Sequence, residues 1–382
     1  MNTSMEPLRV LIVDDSALMR NLIGRIIQGR PGMAVAGTAM NGLFALKKLK
    51  ATSVDAIVLD LEMPDMNGIE FLKMRRELKI DTPVIILSSI AKRGAEVTME
   101  ALSLGASDFI TKPSGSISED IHTVSEHLVE LIWAHAGRGR NRSELEHLHP
   151  SLSAPPTMPL GKMASSSTYS SNALKSRILP GHPQATGPFE LVVLGISTGG
   201  PNALRQVFQD LDPHFPLPIA VVQHMPPGFT AEFARSLNKV CPLEVKEAED
   251  GDMLKPGRIL IAPGDFHMEV EKKSLGTVVR TFKGEARNGH RPSAGVLFLS
   301  AAQFFGSQTL AVIMTGMGRD GADEIGEIRK AGGLTLGQDE ESSVVYGMPK
   351  VAWELNHVER QVSLNDMAST LNTLSVLGRK RT

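Results

Sequence analysis

The stretch DAIVLDLEMPDMNG, residues 55–68, decides the architecture of the first third of the chain. Asp55 to Leu59 reads as a buried strand, because Ala56, Ile57, Val58 and Leu59 are apolar and two of them are β-branched. EMPDMNG, after Asp60, is loop chemistry. Asp60 therefore sits where a strand leaves its sheet. Its carboxylate faces the crevice beyond the strand ends, where open α/β sheets place their ligands. Taken alone, such an aspartate could equally cap a nearby backbone N–H.

Three further strand ends surround it. RVLIVDDSALMR (9–20) is a short apolar strand ending in Asp14 and Asp15, followed by apolar residues at helical spacing. Paired acids on one loop repel, so they call for a cation. With Asp60 they form a hard oxygen cluster of the kind that holds Mg²⁺ through carboxylates and waters. TPVIILSSI (82–90) is a strand ending in Ser88 and Ser89, and in ASDFITKPSG (106–115) Lys112 closes another strand before Pro113. A cis Lys–Pro bond would turn the ammonium toward the crevice. Strand and helix signals alternate throughout residues 8–127, which implies right-handed crossovers and a five-stranded parallel sheet of the flavodoxin-like type.

Acids, an acceptor aspartate, a hydroxyl and a lysine, each at a strand end and in that order, resemble the receiver domain of response regulators. The resemblance implies that Asp60 accepts a phosphoryl group from a chemotaxis histidine kinase. It implies that Asp15, Asp60 and the carbonyl of Glu62 hold Mg²⁺ with Asp14 in support, and that Ser88 and Lys112 meet the phosphoryl oxygens. Phosphoryl transfer is mostly positioning and charge neutralisation, which a metal and a lysine supply.

At 382 residues the chain exceeds one ordinary core, and two domains are expected. Lys and Arg number 40 against 42 acids, so a net charge of −2 gives no general pull toward nucleic acid. No basic recognition helix marks a DNA-binding output. A single cysteine, Cys241, excludes an internal disulfide and fits a reducing compartment. Lying before Pro242 with no histidine near it in sequence, it reads as structural. The opening MNTSMEPLRV has no signal-peptide pattern, and no apolar run reaches the roughly 18 residues of a membrane helix. These features predict a cytoplasmic protein without membrane insertion.

The boundaries expected are a first domain over 1–127, the end of its last helix plus a flexible Ser/Pro-rich linker over 128–187, and a second domain over 188–382. The linker carries GRGRNR, PSLSAPPTMPLG and ASSSTYSS. His122, His127, His135, His147, His149 and His182 lie in and around it and read as exposed rather than as a metal site.

From Phe189 order resumes. FELVVLGISTGG (189–200), PIAVVQHMPPGF (218–229) and TLAVIMTGMGRDG (309–321) are each a strand followed by a Gly- or Pro-rich turn, with helical stretches at 201–211, 230–237, 293–305 and 322–330. This predicts a second α/β domain, doubly wound and Rossmann-like, with a mainly parallel sheet. Ser197, His224 and Asp320 stand at three of its strand ends, so a nucleophile, its base and the base's orienter can converge in one crevice. Each has a plainer reading: Ser197 as a helix N-cap, His224 as a satisfied structural histidine, Asp320 as a cap on a helix at Ala322. The glycines of GISTGG lack dinucleotide-loop spacing, and the second strand ends in Gln223-His224 instead of an acid.

GISTGGPNAL, QHMPPGFTAEFARSLN, APGDFHMEV, NGHRPS and TGMGRDGADEIGEIRKAGG through QDEESSVVYGMPK are similar to the catalytic domain of chemotaxis protein-glutamate methylesterases, over about residues 190–355. With the receiver in front, the whole resembles the response-regulator methylesterases of bacterial chemotaxis. The resemblance implies Ser197 as nucleophile, His224 as general base, Asp320 as its orienter, the N–H of Met317 for the oxyanion, and Thr198 beside the nucleophile. It implies methylated chemoreceptor cytoplasmic domains as substrate, deamidation of receptor glutamines, and no cofactor for the esterase. A phospho-regulated binding module with an inactive triad is the competing class. One departure stands out: the family has an acidic residue two positions after the RPS serine, where this chain has Gly295.

Overall fold

The computed structural model describes residues 6–89, 92–112, 118–137 and 188–377. Pro113, the basic snippets beyond Gly137 and at the C-terminus, and the stretch read as a linker lie outside them, as do His147, His149 and His182.

The first domain is built from β1 (Leu8–Val13), α1 (Ala17–Gln28), β2 (Met33–Ala39), α2 (Gly42–Ala51), β3 (Ala56–Asp60), α3 (Gly68–Glu77), β4 (Val84–Ser88), α4 (Lys92–Ser103), β5 (Asp108–Thr111) and α5 (Ser118–Ala136). The strands form one parallel sheet in the order β2-β1-β3-β4-β5. All five residues of β3 and of β4 are buried, as expected of strands covered by helices on both faces. Caps set the helix starts: Ser16 accepts the N–H of Met19, and Asn67 and Glu70 form a reciprocal capping box that starts α3 directly behind the Asp60 loop.

The second domain runs β6 (Leu191–Ile196), α6 (Gly200–Gln209), β7 (Ile219–Gln223), α7 (Phe229–Asn238), β8 (Glu244–Glu247), β9 (Arg258–Ile261), β10 (His267–Lys273), β11 (Gly276–Phe282), α8 (Ala294–Phe304), β12 (Thr309–Ile313), α9 (Ile325–Lys330), β13 (Leu334–Gln338), α10 (Met348–Glu354), β14 (Arg360–Val362) and α11 (Leu364–Leu377). Seven strands form a parallel sheet in the order β14-β13-β12-β6-β7-β9-β8, and β10 and β11 make a separate antiparallel hairpin. From β6 the chain moves first toward β7 and later returns on the other side at β12. The loops leaving β6 and β12 therefore diverge at a topological switch point, which is where such sheets open a crevice.

The helix expected over 322–330 begins only at Ile325, because Ala322 to Glu324 form turns first. His135 corrects the reading of exposed histidines: its side chain is 9% exposed and its Nε2 lies 3.5 Å from Asp108 Oδ2. It belongs to α5, whose apolar face packs on the sheet. One buried apolar cluster is continuous across both domains, joining Met99, Leu102 and Phe109 of the first to Phe229, Phe233 and Leu237 of the second. No helix among the described residues is long and apolar enough to cross a membrane.

Candidate active site and phosphoacceptor site

In the first domain Asp14, Asp15 and Asp60 bring carboxylate oxygens within 4.8 Å of one another. Asp14 and Asp60 are buried and Asp15 is exposed, so the cluster opens to solvent on one side. Lys112 Nζ lies 2.8 Å from Asp60 Oδ2 and 3.2 Å from Asp14 Oδ2. Burial raises the pKa of Asp60, and the Lys112 bond and charge oppose that. Three close carboxylates with one ammonium between them carry excess negative charge, and the donor set fits a hard divalent cation. The N–H of Glu62 approaches Asp60 Oδ1 at 3.4 Å. The Ser88 hydroxyl is turned toward α4, where it accepts from Thr98 Oγ1 at 2.6 Å and donates to Gly94 O at 3.4 Å.

In the second domain Ser197 is the first residue beyond β6. Its N–H donates to Thr315 O at 3.0 Å, and Gly200 N–H returns to Ser197 O at 2.8 Å, closing a tight turn into α6. That turn needs Gly199 in the left-handed region at φ 77°, and a Cβ there would also come within 2.6 Å of Val344. Gly316 is required from the other side, since a Cβ on it would lie 2.8 Å from Ser197 Cβ.

His224 follows β7, and its N–H donates to Ile196 O at 3.2 Å. Its ring Nε2 lies 2.8 Å from Asp320 Oδ2. Asp320 is 1% exposed and receives three further donors: Ser293 Oγ at 2.6 Å, the N–H of Ala294 at 2.7 Å and Asn288 Nδ2 at 3.2 Å. Burial alone would push its pKa up, but the bond and charge of His224 with the Ser293 and Ala294 donors bring it down to about 2. A fixed carboxylate on Nε2 keeps the proton there. That leaves Nδ1, which is buried and has no hydrogen-bond partner among the described residues, as the acceptor nitrogen. Asp320 is a cap after all, but for α8 instead of a helix at Ala322.

Ser197 and His224 line one cavity of about 220 Å³ together with Thr198 and Gln223. Thr198 is buried, and its carbonyl accepts from Thr315 Oγ1 at 3.0 Å. Met317 lies half-buried in the β12 loop, which is held by Gly316 N–H to Val345 O and Met348 N–H to Gly316 O. Cys241 is half-buried and its Sγ accepts the N–H of Leu243, with burial raising its pKa, so no thiolate competes for a nucleophile's role.

Two residues of this site escape a reading of the sequence. Gln223 Nε2 donates to Ser197 O at 3.0 Å and to His224 O at 3.1 Å, tying the two backbones together. The signal was a polar residue closing an otherwise apolar strand. His290 stacks on His224 with ring centroids 3.8 Å apart and planes 10° apart. Burial and the neighbouring charge of His224 lower its pKa to about 4, so it is neutral at pH 7.

The cavity is closed on its other side by the first domain, which contributes Asp108, Phe109 and His127. Asp108 Oδ2 accepts the N–H of Gly199 at 2.9 Å. Gly199 has no side chain to cap α6, so the cap is supplied by the other domain. Asn202 Nδ2 donates to Ala106 O and Ser107 O at 3.0 and 3.1 Å. Phe109 stacks on Phe229 with centroids 4.9 Å apart, and α4 packs against α7.

The CheB methylesterase family model matches residues 192–371, and the response regulator receiver domain model matches residues 10–123. A Treponema denticola protein named protein-glutamate methylesterase/protein-glutamine glutaminase is 54% identical over 372 residues, covering 96% of this chain and 98% of that protein. A Treponema pallidum protein of the same name is 49% identical over 391 residues, covering 95% and 96%. The crystal structure of the Thermotoga maritima CheB methylesterase catalytic domain is 40% identical and covers 49% of this chain and 98% of that one, with a TM-score of 0.48. Identity at this level runs through both domains at nearly full length, and the chain therefore belongs to the family of protein-glutamate methylesterase/protein-glutamine glutaminases that carry a response-regulator receiver domain.

Proposed function

We propose that the chain is a phosphorylation-activated hydrolase that removes methyl esters from glutamate side chains of chemoreceptor cytoplasmic domains, with Ser197, His224 and Asp320 as its triad. The observation that carries this reading is the His224 ring, bonded through Nε2 to Asp320 and without a partner at Nδ1 among the described residues, lining the same cavity as Ser197. His224 Nδ1 takes the proton as Ser197 Oγ attacks the ester carbonyl. The oxyanion is met by backbone N–H groups, that of Met317 among them, with Thr198 beside the nucleophile; one such donor is worth about 3 kcal/mol in the transition state. His224 gives the proton to the methoxy oxygen as its bond to the carbonyl carbon breaks, so methanol leaves, and water then releases glutamate by the same relay. A receptor glutamine enters the cycle with ammonia as the leaving group.

Asp60 is the phosphoacceptor, supplied by a chemotaxis histidine kinase. Asp14, Asp15, Asp60 and the carbonyl of Glu62 would hold Mg²⁺, which when bound neutralises charge at the incoming phosphoryl group. Lys112 pairs with the phosphoryl oxygens, and Ser88 leaves Thr98 to bond them. The contacts of Asp108, Phe109 and Asn202 support a closed resting state in which the receiver covers the Ser197 crevice. Phosphorylation shifts the population toward an open state through that surface. The domains are assigned as 1–127, 128–187 and 188–382, the middle segment joining them. Methanol released from a methylated receptor, with and without a small phosphodonor, tests the reading. Release that rises with the phosphodonor and disappears in Ser197→Ala is expected; substantial release by that variant overturns it.

A further inference from the structure

Glu324 lies four residues beyond Asp320 and is 6% exposed. Its Oε1 accepts from Arg287 Nη2 at 2.8 Å, while Oε2 is buried with no hydrogen-bond partner among the described residues. A Cβ built on Gly295 would fall 2.7 Å from the carboxyl carbon of Glu324 and 2.8 Å from Oε2. The carboxylate thus occupies the space that any side chain at 295 would need.

Arg287 opens a tight turn that closes at His290, with N–H to O bonds of 3.0 and 2.9 Å in the two directions. Asn288 and Gly289 both have positive φ, 51° and 79°, as a type I′ turn requires. The turn is exposed from Arg287 to Gly289, so few contacts hold it. Two of these reach the triad: Asn288 Nδ2 on Asp320 Oδ1 at 3.2 Å, and the His290 ring on that of His224 at 3.8 Å. A third is the Arg287–Glu324 pair, and beyond the turn Arg291 Nε bonds Asp265 Oδ1 at 2.9 Å. A buried carboxylate with one partner and a bare oxygen is costly to keep where an apolar side chain would pack as well.

We propose that Glu324 is a positioning residue for the triad. Through Arg287 it anchors the 287–290 turn, which holds Asn288 against the orienting acid and His290 against the base. It delivers from the start of α9 the carboxylate that the glycine at 295 leaves room for. The inference rests on the Ser197–His224–Asp320 reading, and it predicts a loss in turnover with little loss in substrate binding.

The test uses the full chain saturated with phosphodonor, with methanol release from a methylated receptor as readout and circular dichroism as a check on folding. Glu324→Gln keeps shape and removes charge; it is expected to lower kcat about tenfold with KM within about twofold, because misplacing catalytic groups by fractions of an ångström costs rate rather than affinity. Gly295→Asp alone should lose activity through the 2.7 Å clash. Glu324→Gly with Gly295→Asp, which moves the carboxylate to the other backbone, should recover kcat to within about threefold of the parent. An unchanged kcat in Glu324→Gln overturns the proposal, as does a double variant no better than Glu324→Gly alone. An inactive parent, or an active Ser197→Ala, would instead strike the triad reading on which it rests.

Discussion

The contact between Asp108 and the N–H of Gly199 predicts how strongly the resting receiver restrains the enzyme. Replacing Asp108 by Ala removes a carboxylate acceptor 2.9 Å from that N–H and uncaps α6. A hydrogen bond to a charged group contributes about 1.5–3 kcal/mol, and loss of an N-cap costs about 1 kcal/mol by itself, so about 2 kcal/mol is assigned to the contact as a whole. That energy exists only in the closed state. Its loss therefore shifts the closed–open balance, and at about 1.4 kcal/mol per tenfold the basal rate should rise about 30-fold. The assay is methanol release by the unphosphorylated full chain at substrate concentrations below KM. The rate at saturating phosphodonor should stay within about twofold, since the open state no longer makes the contact. Asp108→Asn, which keeps a carbonyl acceptor but loses the charge, should fall between the two. A basal rate unchanged in Asp108→Ala refutes the latch. Equal falls in basal and activated rates would make Asp108 a structural residue of the receiver instead.

Other outcomes follow from the same geometry. Asp60→Asn should abolish stimulation by a phosphodonor while leaving basal methanol release within about twofold, because the triad is untouched. Gln223→Leu deletes two bonds, to Ser197 O and His224 O, from a side chain that is 2% exposed. At about 1 kcal/mol each, a loss of about 2 kcal/mol is expected in denaturant unfolding, together with a fall in kcat; an unchanged midpoint would contradict it. Asp320 is held at about 2, below its ordinary 3.8. A carboxyl whose folded pKa is depressed adds stability that is fully present above the unfolded value and lost as pH falls through the folded one, here about 2 kcal/mol. The stability gap between the parent and Asp320→Asn should therefore narrow as pH drops from about 4 to about 2; a gap that stays constant in urea titrations would exclude this role.

The parts legible in the sequence share one property: an apolar run followed by a polar residue at a turn. That pattern located β1, β3, β4, β6, β7 and β12, and with them Asp60, Ser197, His224 and Asp320 at strand ends. It failed where strands are short or broken in composition. β8 is Glu-Val-Lys-Glu at the sheet edge, and β13, Leu-Thr-Leu-Gly-Gln, contains a glycine that reads as a turn. α11 carries an apolar face at helical spacing, Leu364, Met367, Ala368, Leu371 and Leu374, but Ser, Thr and Asn interrupt it in sequence. Its support comes from packing against α6, with Asn372 accepting the N–H of Asp212 at 3.0 Å. His290, Glu324 and Asp108 were invisible for a different reason. Each acts on a residue far away in sequence, and nothing in their own neighbourhoods signals the partner.

The apolar cluster that runs without interruption from Met99 and Phe109 into Phe229 and Phe233 carries a calorimetric consequence. Two lobes sharing one hydrophobic interior cannot melt independently, so the resting protein should give a single heat-absorption peak. Charging Asp60 and parting that interior should split the peak in two, each lobe then unfolding at its own temperature.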